Sequence, residues 1–459
     1  MGSSRDPFLL LLCVQVLIFL LPNNFAAPFF PVAEAAAASA DKRSASLILP
    51  LKTQQIPSGS IPRPPNKLYF HHNVSLTVPL TVGSPPQNVS MVLDTGSELS
   101  WLRCSGNSTA SASGPSFRPL SSSSYVSIPC ASASCQVRTR DLPSPAFCGA
   151  GGKLCRVSMS YADGSSADGD LASDIFRVGQ LPAVRALFGC VDTSFSSTGE
   201  DAVTAGLLGM NRGSLSLVSQ MGTRRFSYCI SDRDSTGVLL LGGDGPGALP
   251  FPVPLNYTPL IQISLPLPYF DRVAYSVQLE GIRVGATLLP IPKSVLVPDH
   301  TGAGQTMVDS GSQFTFLLGP AYAVLKSEFL RQTRGKLAQL GEPGFAFQGA
   351  FDTCFRVPTG RPAPAPMLPE VVLLFRGGAE VAVAGERLLY QAPGEVRGGG
   401  ADAVWCLTFG NSDLVPLEAY VIGHHHQQNV WVEYDLAGAR VGFAPVRCDL
   451  ASQRLGAVA

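Results

Sequence analysis

The chain has little of what several large function classes require. Its 33 basic residues are matched by 33 acidic ones, so no net field draws it to nucleic acid or to an anionic membrane surface. Its longest apolar run, Phe8 to Leu21, falls short of the roughly 20 residues a membrane-spanning helix needs. No G-x-S-x-G elbow offers a serine nucleophile, and no G-x-G-x-x-G follows a strand to cradle a dinucleotide. "GLLGMNRG" lacks that spacing. Helical periodicity is scarce; its clearest instance is Ala321 to Leu337, where Leu325, Phe329 and Leu330 fall at helical spacing. Histidine is rare too, six in all, and three are consecutive, His424 to His426. On a strand such neighbours alternate faces and no nearby ligand completes a tetrahedral set, so no metal site is expected. A charge change near pH 6 that tunes the second half is the alternative use of this run.

What the chain does have is 46 glycines and 38 prolines, the punctuation of a mostly β protein of short strands and many turns. A length of 459 residues suits two domains plus extensions. The N-terminal apolar run, with Arg5 before it and Ala26 and Ala27 after it, reads as a secretory signal spanning residues 1–27. Residues 28–66, rich in Ala, Ser and Pro, read as a pro-segment or disordered arm. Two lobes are then expected, 67–262 and 263–459. Of 11 cysteines, Cys13 would leave with the signal, and the even remainder suits an oxidising compartment. Asn73, Asn88, Asn107 and Asn256 stand in N-x-S/T sequons and are glycosylation candidates. The expected location is the secretory pathway: endoplasmic reticulum, extracellular space or vacuole, without stable membrane insertion. Glu98 reads as a solvated turn residue.

The decisive feature is a repeat. "DTGSELSWL" from Asp94 and "DSGSQFTFL" from Asp309 match position by position. Each follows apolar residues and is followed, at nearly equal distance, by an apolar-apolar-glycine run: "AGLLGM" at Ala205 to Met210 and "AYVIGH" at Ala419 to His424. Val74, Leu76, Val78, Leu80 and Val82 alternate with polar residues, the chain turns at Gly83 to Asn88, and Val89 to Leu93 returns as the strand that delivers Asp94. In the second half "AYSVQLEGIRVGATLL" reads as two strands about a Glu280–Gly281 turn, ahead of Met307 to Asp309. Both acids therefore sit where a strand gives way to a loop.

Two such loops can oppose two carboxyls across a cleft. Carboxylates about 3 Å apart cannot both ionise cheaply, so they share a proton and act as acid and base at one pH. The ionised partner can take a proton from water while the protonated one polarises a peptide carbonyl. Gly96 and Gly311 permit close approach. Thr95 and Ser310 can bond across to the opposite loop, and Ser97 and Ser312 can bond the outer carboxyl oxygens. A single Asp-Thr-Gly would be an ordinary Asx turn; two copies in matched context argue for a catalytic pair.

These motifs resemble the pepsin-type aspartic proteases of family A1, in the plant nepenthesin-like branch, and the likeness covers nearly the whole chain after residue 70. "YVIGHHHQQNVWVEYD" and "DTGSELSWLRC" are most similar to the promotion-of-cell-survival group of that branch, found in reproductive tissue. The resemblance implies a bilobal fold of two pseudo-symmetric β-barrel-like lobes with a cleft between them. It also implies an aspartic endopeptidase working at acidic pH through Asp94 and Asp309, monomeric and without a cofactor, in plant reproductive development and programmed cell death. Its partners would be polypeptide substrates and pepstatin-like inhibitors. "SYADGS" resembles the flap, making Tyr161 the substrate clamp, Trp101 its hydrogen-bond partner and Gly164 part of its turn. Leu47 to Thr53, "LILPLKT", an apolar strand pattern ending in Lys52, resembles pro-segments that lay a lysine near the acid pair. Carried over from the family, the disulfides would be Cys104–Cys190, Cys130–Cys155 around Cys135–Cys148, Cys354–Cys406 and Cys229–Cys448. Of three closely spaced cysteines after the tryptophan only Cys104 is kept, and Ala162 replaces a common flap glycine. A non-catalytic inhibitor or binding protein of the same fold is the competing reading.

Overall fold

The computed structural model describes residues 47–56, 74–105, 114–149, 151–179, 181–232, 236–242, 253–361, 365–415 and 417–457. The expected signal 1–27, most of 28–66, and the sequons Asn73 and Asn107 lie outside these. Asn88 and Asn256 are described, and both are exposed.

Alternation sets the first hairpin. The strand Val74–Val82 buries Leu76, Val78, Leu80 and Val82, because successive side chains of a strand point to opposite faces. It pairs antiparallel with Gln87–Asp94, Leu80 opposite Val89 and Val78 opposite Met91. That register carries Asp94 to the end of the returning strand. In the second half Gln305–Val308 plays the same part ahead of Asp309. Its partner strands are Ser276–Val277 and Ala419–Ile422.

The two lobes share one sheet. Fourteen strands run from Asn256–Pro259 through Arg440–Pro445, Val430–Asp435, Arg225–Cys229, Gly237–Leu241 and Leu47–Gln55 into the first-half hairpin. Strands about 200 residues apart in sequence are thus hydrogen-bonded neighbours, Tyr228 opposite Val432. The remaining sheets of the second half have five, four and four strands. Phe226 stacks on Tyr434 with ring centroids 4.5 Å apart, and Tyr275 packs tilted against Tyr434 at 4.2 Å. The helix Gly319–Thr333 buries Leu325 and Phe329 as its spacing predicted.

Several expectations are corrected. Leu47–Gln55 is a strand integral to the sheet, with Leu47, Leu49 and Leu51 buried, and so not a disordered arm; its apolar alternation finds a place between two other strands. Lys52 is exposed on that strand and opposite Thr77. Glu280–Gly281 marks a register shift in the pairing with Val371–Phe375; the chain reverses at Gly285, whose φ of +54° suits a residue without Cβ. His424–Gln427 is a 3₁₀ turn, so its side chains do not alternate as on a strand.

The cysteine cluster is crossed, not nested: Cys130 bonds Cys148 and Cys135 bonds Cys155. Burial sorts them. Cys155 N–H donates to Ile128 O and Cys130 N–H to Lys153 O, both at 2.9 Å, on either side of the Pro129–Leu154 bridge. Cys135 and Cys155 join the buried cluster around Leu99 and Ile128, while Cys148 is exposed. Cys104–Cys190, Cys354–Cys406 and Cys229–Cys448 are bonded as well.

Candidate active site

Each acid is delivered by the same local construction. Gln87–Asp94 runs parallel to Gly206–Gly209 with Asp94 beside Gly209, and Gln305–Val308 runs parallel to Ala419–Ile422 with Val308 beside Ile422. Asp94 O accepts Met210 N–H at 2.9 Å, and Asp309 N–H donates to Ile422 O at 3.1 Å. The apolar-Gly runs thus brace the two loops from below. Gly209 and Gly423 have no room for a side chain, because a Cβ would meet the backbone of Glu98 and of Phe314 respectively.

The loops then lock to one another. Thr95 N–H donates to Ser310 Oγ (3.0 Å) and Ser310 N–H to Thr95 Oγ1 (2.9 Å). Each hydroxyl passes its own hydrogen to the opposite strand, Thr95 Oγ1 to Val308 O (3.3 Å) and Ser310 Oγ to Leu93 O (2.8 Å). These four bonds are buried and fix how close the carboxyls can come. Within each loop the glycine N–H donates to its own aspartate, Gly96 to Asp94 Oδ1 at 2.8 Å and Gly311 to Asp309 Oδ1 at 2.9 Å. Ser97 Oγ donates to Asp94 Oδ2, and Ser312 Oγ to Asp309 Oδ2 at 2.7 Å. A Cβ on Gly96 would lie 2.9 Å from Asp309 Oδ1, and one on Gly311 would overlap the Asp94 carboxyl. Only hydrogen fits at either position.

Burial pushes the Asp94 carboxyl up, and the charge of Asp309 pushes it further; the bonds from Ser97 and Gly96 oppose both without prevailing. Taking a carboxylate out of water beside a second one favours the neutral acid. Both influences act in the direction that a shared proton between two carboxyls requires.

The cleft around this pair has a volume of about 480 Å³ and is lined from both halves, including Trp101, Tyr161, Asp271, Tyr275 and Phe316. The hairpin of Arg156–Ser160 and Ser166–Arg177 turns through Tyr161 to Ser165, with Gly164 at φ +84°. Trp101 Nε1–H donates to Tyr161 OH at 2.7 Å, and burial raises the Tyr161 hydroxyl far above its usual range, keeping it a neutral donor. Asp163 anchors the turn: it accepts Ser165 N–H (2.9 Å), Ser165 Oγ–H (2.8 Å) and Ser197 Oγ–H (2.8 Å).

Sequence reasoning missed several supports. Ser100 Oγ accepts Gly209 N–H at 3.0 Å and Thr315 Oγ1 accepts Gly423 N–H at 3.2 Å. They occupy the same place in the two matched motifs, so the repeat carried the signal. Gln427 Nε2 donates to Asp309 O (3.1 Å) and Ile422 O (2.6 Å), and no motif marked it. Glu98 is buried, not solvated, because the segment after Met210 folds over it and donates Leu215 N–H to its Oε1 at 2.9 Å. Among the described residues the only group of cysteines, histidines or acids gathered closely enough to hold a metal ion is Cys130, Cys135 and Cys148, which are all oxidised.

Two family models match the chain, xylanase inhibitor N-terminal over residues 77–243 and xylanase inhibitor C-terminal over residues 274–445. The sequence is 57% identical over 415 residues to the aspartic proteinase PCS1 of Arabidopsis thaliana, covering 89% of each chain. It is 32% identical over 373 residues to the aspartic proteinase nepenthesin-2 of Nepenthes gracilis, covering 80% of this chain and 77% of that one. Aspartyl protease 25 of Oryza sativa is 33% identical, covering 82% of each. Among solved structures, edgp superimposes with a TM-score of 0.64 at 20% identity, over 90% of this chain and 97% of that one. Conglutin gamma from lupine seeds follows with a TM-score of 0.62 at 21% identity, over 87% and 95%.

Proposed function

This chain belongs to the family of pepsin-like aspartic proteases, and from that premise we propose that it cuts peptide bonds with Asp94 and Asp309 as its catalytic pair. It is an aspartic-type endopeptidase with polypeptide substrates. The observation that carries the assignment is the reciprocal Thr95–Ser310 lock, which holds two carboxyls face to face with one of them pushed toward its neutral form. In the proposed reaction the pair shares one proton, the known behaviour of aspartic-protease dyads. The ionised carboxylate takes a proton from water as the oxygen attacks the peptide carbonyl, and the protonated carboxyl donates to the developing oxyanion. The proton then passes to the leaving nitrogen. Tyr161, held by Trp101, closes over the extended peptide and excludes bulk water.

The working range is acidic, as in the aspartic proteases this chain resembles. The lobes divide at about residue 262, residues 28–66 include the pro-segment, and the enzyme acts as a monomer in the secretory pathway, a location the five disulfides support. Likeness to the cell-survival group extends the proposal to plant reproductive development and programmed cell death. The inhibitor reading is not favoured: both acids, both glycines, their hydroxyls and Tyr161 are all in place. Hydrolysis of casein between pH 3 and 6, abolished by pepstatin and by Asp94→Asn, tests the assignment. Full turnover by Asp94→Asn would overturn it.

A further inference from the structure

The two-fold plan of the catalytic loops breaks at one hydrogen bond. In the first half main chain holds the carbonyl of the acid: Met210, which follows Gly209, donates its N–H to Asp94 O at 2.9 Å. His424 stands at the matching place after Gly423, but its N–H goes to Ser312 O at 2.8 Å. Asp309 O takes its hydrogen from a side chain instead, Gln427 Nε2 at 3.1 Å. The same nitrogen donates to Ile422 O at 2.6 Å, and Ile422 O also accepts Asp309 N–H at 3.1 Å. One amide therefore braces the second acid at its carbonyl directly and at its N–H through a shared acceptor.

The other half of the chain sets the orientation of that amide. Both partners of Gln427 Nε2 are carbonyl oxygens, which only accept, so Nε2 must face them and Oε1 must point away. Oε1 accepts the hydroxyl hydrogen of Tyr228, a residue 199 positions earlier in the chain. Burial holds the Tyr228 phenol far above its usual range, so it stays a neutral donor. Tyr434 OH lies 2.9 Å from Tyr228 OH, and the Thr95 hydroxyl of the lock is within bonding reach of both phenols. Gln427, Tyr228 and Tyr434 are fully buried. Bulk water does not make good a bond lost there, and an amide turned or removed leaves Asp309 O short of a donor.

We propose that Gln427 is a positioning residue for the second acid, and that Tyr228, by orienting the Gln427 amide, sets where the Asp309 carboxyl stands. This rests on the reading of Asp94 and Asp309 as the catalytic pair. The bridge closes only when the shared sheet lays Arg225–Cys229 beside Val430–Asp435, so it ties the second carboxyl to the joining of the halves. A displaced carboxyl costs rate more than affinity, because a peptide binds along the whole cleft while proton transfer needs one geometry.

The experiment compares variants of the full chain on one peptide substrate, with active sites counted by pepstatin titration so that misfolded molecules drop out. Gln427→Met keeps the length of the side chain and removes both donors. It should lower kcat per site about 10- to 100-fold, the scale of a slightly misplaced catalytic group, with KM changed by less than about threefold. Tyr228→Phe removes only the hydroxyl and should lower kcat about fivefold, the loss of one neutral hydrogen bond. Because Tyr228 acts through Gln427, the double variant should match Gln427→Met within about twofold. Gln427→Glu, a neutral acid with one donor at about pH 3.5, should recover part of the rate lost in Gln427→Met. A parent-like kcat per site in Gln427→Met, or losses that multiply in the double variant, overturns the proposal. Hydrogen exchange in an Asp94→Asn background needs no turnover. There Gln427→Met should speed exchange across Met307 to Ser312 and leave the helix Gly319–Thr333 as it was; unchanged exchange in that loop also overturns the proposal. Faster exchange in the loop of a protein whose parent cuts no peptide would keep the positioning role and refute the protease reading.

Discussion

Acidification from pH 6.5 to 4 should weaken the second lobe through His425, by an amount the packing sets. His424 and His425 bond the second catalytic loop directly, their N–H groups donating to Ser312 O (2.8 Å) and Gln313 O (2.9 Å). The His425 ring packs edge-on against Phe314 at 5.3 Å, with Nε2 3.1 Å from Arg387 O, so the neutral ring donates there. Burial, then the Arg387 charge, lowers the His425 imidazole from 6.5 to about 4. A base with a depressed folded value is protonated first in the unfolded chain. Stability is therefore complete above pH 6.5, falls between 6.5 and about 4, and is flat in this group below that. The span is 6.5 − 4 = 2.5 pH units, which corresponds to about 3 kcal/mol at roughly 1.4 per unit. His426 sits between Thr315 Oγ1 and Thr408 Oγ1, each 2.7 Å from a ring nitrogen, and is displaced in the same direction. Urea unfolding in an Asp94→Asn background avoids self-digestion. His425→Phe keeps the aromatic packing and should cost about 1 kcal/mol at pH 7 for the lost hydrogen bond. Its disadvantage should vanish and reverse by pH 4, as the parent loses about 3 kcal/mol more than the variant. Parallel pH profiles for parent and variant would refute the argument.

The proposed catalytic pair predicts the opposite trend. A raised carboxyl contributes stability that is lost as pH climbs through its folded value, so Asp94→Asn should melt higher than wild type at pH 7 while turnover falls by roughly three orders of magnitude or more; Asp309→Asn should be equally inactive. Tyr161→Ala should reduce kcat by about 10- to 100-fold with little change in Tm, whereas loss of stability in step with activity would mark Tyr161 as a packing residue. Cys448→Ser opens a link between residues 219 apart; chain-entropy models put such a loop at about 4–5 kcal/mol as an upper figure, so a large fall in Tm is expected. Non-reducing peptide mapping should recover Cys130 with Cys148 and Cys135 with Cys155, and a nested pair would contradict the burial argument.

The two acids, their glycines and hydroxyls, and the strands that deliver them were legible in the sequence because each depends on local pattern. Alternation places the strand, the strand end places the acid, and duplication multiplies the evidence. Ser100 and Thr315 were legible for the same reason and could have been read from the matched motifs. Glu98 could not. Its burial is imposed by Arg212 to Leu215, more than 110 residues further along the chain, and no short-range pattern announces a distant cover. The cysteine cluster failed likewise: the buried sulfurs of Cys135 and Cys155 pair with each other and the more exposed Cys130 and Cys148 with each other, and burial depends on what packs over the segment from elsewhere in the chain.

The sequence by itself determined the proposed chemical groups, a pair of strand-end carboxyls with the small and hydroxyl residues that let them approach. The tertiary structure alone decided how they are brought together, that burial beside a second carboxyl favours the neutral acid at Asp94, and what else faces the cleft. Those are matters of separation and solvent exclusion between segments some 200 residues apart, joined only when the shared sheet and the Thr95–Ser310 lock bring the halves together.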